Sequence, residues 1–285
     1  MSKFSNSWEL MKGSARVLRL DKELLVFPLL SGVATVLVTA TFVVPFAFIG
    51  EGFGALERLA EDPGYLGYVI AFLYYLALYT AIFFFNTALV GAAMIRLDGG
   101  DPTVSDGMRI ALDKLPTVLG YAAIAATIGM VLRMIEERVG FLGRIVIGLI
   151  GVSWSLATYL TVPVLVTKDV SAIDAVKESA SLFKQTWGEQ VVAHAGMGFA
   201  FAIVLLLMMV TFIPIAIMVA QVNEVLVIPM MVSVFGGFVF LMLVKSALDG
   251  IYSAALYRFA TTGDPGEHFD AEVMRQAFRP KKKRW

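Results

Sequence analysis

The chain contains no cysteine and only two histidines, His194 and His268. Disulfide scaffolds and thiolate-bound metals are therefore excluded. A His-Glu-x-x-His zinc site cannot form, because no second imidazole stands at helical spacing. A Gly-x-Ser-x-Gly elbow is missing, as is a Gly-rich loop ending in Gly-Lys-Ser or Gly-Lys-Thr. Charge is scarce as well: Asp, Glu, Lys and Arg make up 16% of the 285 residues, against about 25% in a soluble domain. The 23 basic residues balance 23 acidic ones, so no net field favours nucleic acid or an acidic substrate. No cofactor, metal or nucleic-acid partner is expected.

What the chain has in excess is apolar sequence, 58% of residues with a mean hydropathy of +0.78. That excess excludes a soluble globular enzyme and a disordered chain. A bilayer-spanning helix needs about 20 mostly apolar residues, and six stretches qualify: about 24–49, 66–95, 117–135, 145–166, 191–220 and 226–256. The expected fold is all-α, a polytopic six-transmembrane-helix bundle over residues 1–256 with a basic tail at 257–285. The first apolar run is too long for a signal-peptide core and has no small-residue cleavage pattern after it, so it is expected to remain in the mature protein. Pro45, Pro163 and Pro214 inside or at the ends of spans are tolerable where neighbouring helices satisfy the freed carbonyls.

Lys and Arg in short loops mark the cytoplasmic side. Lys3, Lys12, Arg16, Arg19 and Lys22 precede the first span, Arg96, Arg109 and Lys114 follow the second, and Lys168, Lys177 and Lys184 follow the fourth. The tail adds Arg258, Arg275, Arg279, Lys281, Lys282, Lys283 and Arg284. Eighteen of the 23 basic residues thus fall on one face, and both termini are predicted to be cytoplasmic.

A hexad recurs four times on that face: Glu9 to Ser14, Asp106 to Ala111, Asp174 to Ser179 and Glu272 to Ala277. Each reads acid, small or aliphatic, Met or Val, base, any residue, small. The second and fourth copies also follow matching span ends, Ala92-Ala93-Met94-Ile95-Arg96-Leu97 with Gly100-Asp101-Pro102 and Ala254-Ala255-Leu256-Tyr257-Arg258-Phe259 with Gly263-Asp264-Pro265. Duplication of a two-span unit, giving parallel repeats, accounts for the match. Apolar residues at helical spacing around the hexads, such as Trp8, Met11, Ala15 and Leu18, predict amphipathic helices. Two readings stay open: helices in the headgroup zone with Trp8 or Trp187 as anchors, or helices packed across the cytoplasmic ends of the spans.

The opening Ser7-Trp8-Glu9-Leu10-Met11-Lys12 with Ser14, then Val17 to Leu25 and Phe27-Pro28, resembles the start of an uncharacterised family of prokaryotic six-span membrane proteins, a domain of unknown function. The resemblance implies a prokaryotic cell membrane and the six-span layout, and no activity. Ser179 to Trp187 is similar to the membrane domain attached to some glycerophosphodiester phosphodiesterases, without any catalytic domain of that kind.

Charged side chains inside a span are functional candidates by default. Lys245 and Asp249 stand four residues apart on the sixth span, hence on one helical face, with Asn86 and Thr87 of the second span as candidate neighbours. They mark either a polar point in a substrate path or a self-neutralising pair that fixes packing. Arg133, Glu136, Glu137 and Arg138 read as a solvated helix end, and Tyr74, Tyr75, Tyr79 and Phe83-Phe84-Phe85 as packing surface. Candidate contacts to anionic lipid or a partner are Trp8, Lys12, Arg16, Arg109, Lys177, Arg275 and the run Lys281 to Arg284.

The leading expectation is a non-enzymatic membrane scaffold or accessory subunit that engages lipid, a membrane-protein partner or a second copy through cytoplasmic helices. The alternative is a transporter or channel component for a small solute or lipid, with its polar point at Lys245 and Asp249. A lipid-acting enzyme using Asp249 or His194 is the remaining alternative.

Overall fold

Runs rich in Leu, Ala, Met and Phe, punctuated by glycine and proline, fold as helices, and no strand occurs among the described residues. The computed structural model describes residues 3–48, 54, 57–58, 64–187, 191–222 and 227–278, with side chains at 8–48, 54, 57–58, 64–184, 201–215, 218–219 and 227–275. The chain runs through α1 (Lys3–Leu20), a 3-10 turn (Lys22–Leu25), α2 (Val26–Ala47), α3 (Gly64–Leu97), α4 (Val104–Asp113) and α5 (Leu115–Glu136). It continues through α6 (Phe141–Ala157), α7 (Thr161–Thr167), α8 (Ala172–Trp187), α9 (Val191–Val222), α10 (Val227–Thr262) and α11 (Ala271–Phe278). Lys281, Lys282, Lys283 and Arg284 lie outside the described residues, as do the side chains of Trp187 and His194.

Among the described residues, five stretches are long and apolar enough to cross a membrane: Lys22–Ala47, Gly64–Leu97, Leu115–Glu136, Phe141–Thr167 and Val227–Thr262. The shortest reaches about 33 Å at 1.5 Å per residue, enough for a hydrocarbon layer of about 30 Å. Helix α9 is also long, and its described apolar stretch is Phe201–Ile215.

The fourth stretch is not the continuous helix its sequence suggests. Pro163 has no N–H to give the Tyr159 carbonyl four residues back, and its ring crowds that carbonyl. The helix opens at Thr158–Leu160, where Tyr159 N–H turns to the Leu156 carbonyl and Thr161 N–H to the Thr158 carbonyl.

Burial is concentrated at one end of the bundle. The core joins Leu24 and Phe27 at the start of α2, Ala88 to Ala93 near the end of α3, Tyr121 in α5, Leu160 to Leu165 at α7 and Ala247 to Tyr257 in α10. The opposite ends carry exposed apolar side chains, among them Val36, Phe141 and Phe235. Helix α3 is the hub, in contact with α2, α4, α5, α7 and α10. Glycine permits its closest approaches: a Cβ on Gly107 of α4 would stand 2.5 Å from the Phe27 ring and 2.7 Å from the Ala88 carbonyl oxygen.

The hexads cap this packed end. Their acid and base form an i,i+3 pair in every copy: Glu9 with Lys12 at 2.8 Å, Asp106 with Arg109 at 3.7 Å, Asp174 with Lys177 at 3.5 Å, and Glu272 with Arg275 at 3.7 Å. The second and sixth positions face inward, as the buried Leu10 and Ser14, Gly107 and Ala111, and Ala175 and Ser179 demonstrate. Asp106 closes a capping box with Thr103; Ser171 donates its hydroxyl to the Asp174 carboxylate and accepts from the Asp174 N–H. The Thr103 hydroxyl and amide hold the Asp106 carboxyl below the usual carboxylate range, and the Ser171 hydroxyl with the Lys177 ammonium does the same for Asp174. Of the two readings of these helices, packing across the span ends describes their inner faces, while Lys12, Arg109, Lys177 and Arg275 point outward.

The repeated span ends also share a charge pattern. Arg96 binds Asp101, and Arg258 binds Asp264 at 3.2 Å, each an arginine reaching the aspartate of its own Gly-Asp-Pro turn. Arg96 also grips Asp21 with two nitrogens, and Arg258 reaches Asp98. Asp21 is only 6% exposed, so its charge depends on that fork-to-fork contact. Arg96→Met strands a buried carboxylate and is expected to cost about 3 kcal/mol. Thermal unfolding in mild detergent checks this, with the Asp21→Asn/Arg96→Met pair less destabilised than Arg96→Met alone; additive losses would contradict it.

Candidate functional site

Directly above the packed end, the spans part around a cavity of about 740 Å³. Helix α10 brings Lys245 and Asp249 to it one turn apart, and the Lys245 Nζ donates to Asp249 Oδ2 over 2.6 Å. Each side chain stays about a third exposed, at 33% and 30%. They are the charged residues that line the cavity among the described residues. Asn86 of α3 faces the same space. Its Oδ1 would stand 3.6 Å from a Cβ on Gly250, so the amide lies against α10 beside Asp249.

Thr87 does not join them. It is fully buried and its hydroxyl donates to the Phe83 carbonyl at 2.7 Å. Successive helical residues point about 100° apart, so Asn86 and Thr87 cannot share one face. The other expected contacts lie away from the cavity at the packed end: Trp8 is 48% exposed under the Lys12 ammonium, and Arg16 donates to the His268 carbonyl.

The rest of the wall is aromatic and hydroxylic. Tyr79 and Phe83 of α3 stack at 5.6 Å between centroids, and Phe83 stacks on Tyr121 of α5 at 4.3 Å. Tyr75 continues the stack outward, where its hydroxyl accepts from Arg133 Nη1 at 2.8 Å beside a smaller cavity of about 310 Å³. The spacing of Tyr75, Tyr79 and Phe83 by four residues places all three rings on one face of α3, so these residues form a lining as well as a packing surface. Arg133 holds Glu137 at 3.0 Å at that outer mouth, both more than half exposed.

The fourth stretch contributes Trp154 and Ser155 from α6 and Thr158 and Tyr159 from its break. The break is held from outside. Ser179, the sixth residue of the third hexad, accepts from Leu160 N–H at 3.0 Å and donates to the Ala157 carbonyl at 2.7 Å. One buried hydroxyl therefore satisfies one backbone N–H and one carbonyl at the interruption. Pro163 was the sequence signal for this wall, four residues before which the helix had to yield.

The cavity has one loosely closed side. Among the described residues, α6 packs on α5 and α8, α10 packs on α1, α2, α3, α7, α9 and α11, and α6 and α10 make no extensive contact with each other. Ser155 on α6 and Ser246 on α10, both lining the cavity, are exposed at that gap.

Fold and site define an all-α protein in which, among the described residues, five stretches are long and apolar enough to span a membrane and a cavity holds one ion pair. The chain belongs to a family of unknown function, DUF6159, which matches residues 65–267. That match covers more than two thirds of the chain and lies beyond the Ser7–Pro28 stretch on which the sequence resemblance rests. No curated protein and no solved structure matches the chain.

Ser179→Ala removes the clamp and leaves two buried backbone groups unpaired, which is expected to cost about 1–3 kcal/mol. Thermal unfolding compared with the unsubstituted chain measures the difference; equal stability of the two would contradict the clamp.

Proposed function

We propose that the protein is a six-span integral membrane protein that binds an amphipathic solute in this cavity and passes it across the bilayer. The observation that carries the reading is the meeting of Lys245, Asp249 and Asn86 on one cavity. Ionisable groups inside an apolar bundle are costly and are retained where they serve a solute path. Counted back from Arg258 at about 1.5 Å per residue, Lys245 lies roughly 20 Å from the basic end and Asp249 roughly 14 Å, well within a hydrocarbon layer of about 30 Å. The gap between α6 and α10 supports entry from the side, the route open to an amphiphile dissolved in the membrane. An interrupted helix beside the cavity fits the same reading, since irregular backbone at membrane depth is tolerated where it lines a cavity.

In this reading α9 is the fifth of six crossings, and the basic end, with both termini, faces the cytoplasm of a prokaryotic cell under the plasma membrane. Helices α1, α4, α8 and α11 are then amphipathic helices at the cytoplasmic surface, their basic residues directed at anionic headgroups. The protein acts by binding and not by catalysis. A second reading, a membrane scaffold or accessory subunit, is supported by exposed apolar side chains on the capping layer, Trp8, Leu20, Leu112 and Ile173, which suit lipid, a membrane-protein partner or a second copy.

Lipid translocation tests the first reading. In proteoliposomes holding fluorescent phospholipid, the wild-type protein is expected to expose inner-leaflet lipid to dithionite faster than protein-free vesicles do. Asn86→Ala/Lys245→Met/Asp249→Leu is expected to return the rate to the protein-free level with an unchanged circular dichroism spectrum. A rate unaffected by the triple substitution would remove the cavity from the path.

A further inference from the structure

Resting on the cavity reading above, we propose that the solute is zwitterionic, a phospholipid whose headgroup pairs an ammonium with a phosphate. The first argument is charge balance. Lys245 and Asp249 neutralise each other at 2.6 Å while a third of each side chain remains open to the cavity. An anion taken up by Lys245 alone, or a cation by Asp249 alone, would leave a net charge in a medium of low dielectric constant, where unpaired charge is heavily penalised. A ligand with its own ammonium and acid exchanges one neutral pair for two, with phosphate on Lys245 Nζ and ammonium on the Asp249 carboxylate.

The surroundings fit each half. The Asn86 amide, which makes no hydrogen bond among the described residues, lies beside Asp249 and can donate to a phosphate oxygen bound at Lys245. Trp154 and Tyr159 line the same space, and aromatic rings attract an ammonium, whereas the faces of Tyr79 and Tyr121 are taken up by the stack through Phe83. A primary ammonium fits Asp249 better than a quaternary one, because it donates hydrogen bonds to the carboxylate. The open seam between α6 and α10, flanked by Ser155 and Ser246, lets the acyl chains remain in the bilayer while the headgroup is inside. This seam favours a membrane lipid over a water-soluble zwitterion of the same chemistry.

Trp154 reports directly on occupancy, because it lines the cavity. Its fluorescence is isolated by Trp8→Phe, Trp187→Phe and Trp285→Phe, and the full chain is placed in nanodiscs containing acyl-brominated phosphatidylethanolamine or phosphatidylglycerol. The expected result is preferential quenching by the ethanolamine lipid, roughly tenfold in apparent affinity, the worth of one charge-assisted hydrogen bond. Lys245→Met/Asp249→Leu is expected to abolish the preference. The headgroup comparison on Lys245 and Asp249 as they stand remains decisive even if that variant fails to fold. Equal quenching by both lipids would overturn the zwitterion assignment and leave the lipid-binding cavity standing. Quenching by neither lipid would overturn both. A change in Trp154 fluorescence on adding soluble glycerophosphoethanolamine, where neither lipid quenches, would instead assign the same chemistry to a water-soluble solute and overturn the lipid source.

Discussion

The grip of Arg96 on Asp21 fixes where this bundle is closed and, by the same stroke, where it is open. It ties the entry of the first span to the exit of the second. Arg258, at the corresponding place in the repeat, ties the exit of the last span to Asp98 in the loop after the second. With the ends so fastened, Phe27, Ala88, Gly107, Ile251 and Leu165 pack at one level. Above that level the described residues form no comparable core, and many of their apolar side chains face outward. A water-soluble protein could not tolerate that division. A protein dissolved in hydrocarbon can, because lipid and side chain compete on nearly equal terms.

The polar cavity follows from the same division. It stands where close packing gives way to separation, with Leu89 and Gly250 at its base and Trp154 and Met242 on its sides. An i,i+4 Lys–Asp pair placed there keeps the site neutral while its donors and acceptors remain available. Serine at the sixth hexad position links the capping layer to this wall, since Ser179 holds the break from which Thr158 and Tyr159 reach the cavity. The capping helices and the cavity therefore form one mechanical unit.

Much of this was legible in the residues. Apolar run length located, to within about six positions, five stretches long and apolar enough to span a membrane, because hydrocarbon thickness sets helix length directly; the expected span at 191–220 is not among them. The hexad's acid-to-base spacing of three residues was written in the sequence, and it became an ion pair in each copy. Spacing alone did not reveal what the small second and sixth residues touch, since that depends on neighbouring spans. The proximity of Asn86 to Lys245 and Asp249 across two helices was equally hidden, and Thr87 was misplaced by adjacency in sequence where helical angle decides. The break before Pro163 was within reach of the argument that a proline costs the carbonyl four residues earlier.

The most direct test of the account is whether water reaches the cavity but not the rest of the apolar bundle, and a chain without cysteine makes it clean. Single cysteines at Ser246 in the cavity, at buried Thr87 and at exposed Val36 can be challenged in membranes with a charged, impermeant thiosulfonate. The account predicts rapid modification at 246 and almost none at 87 or 36. A cysteine at 246 as inert as the one at 36 would contradict it.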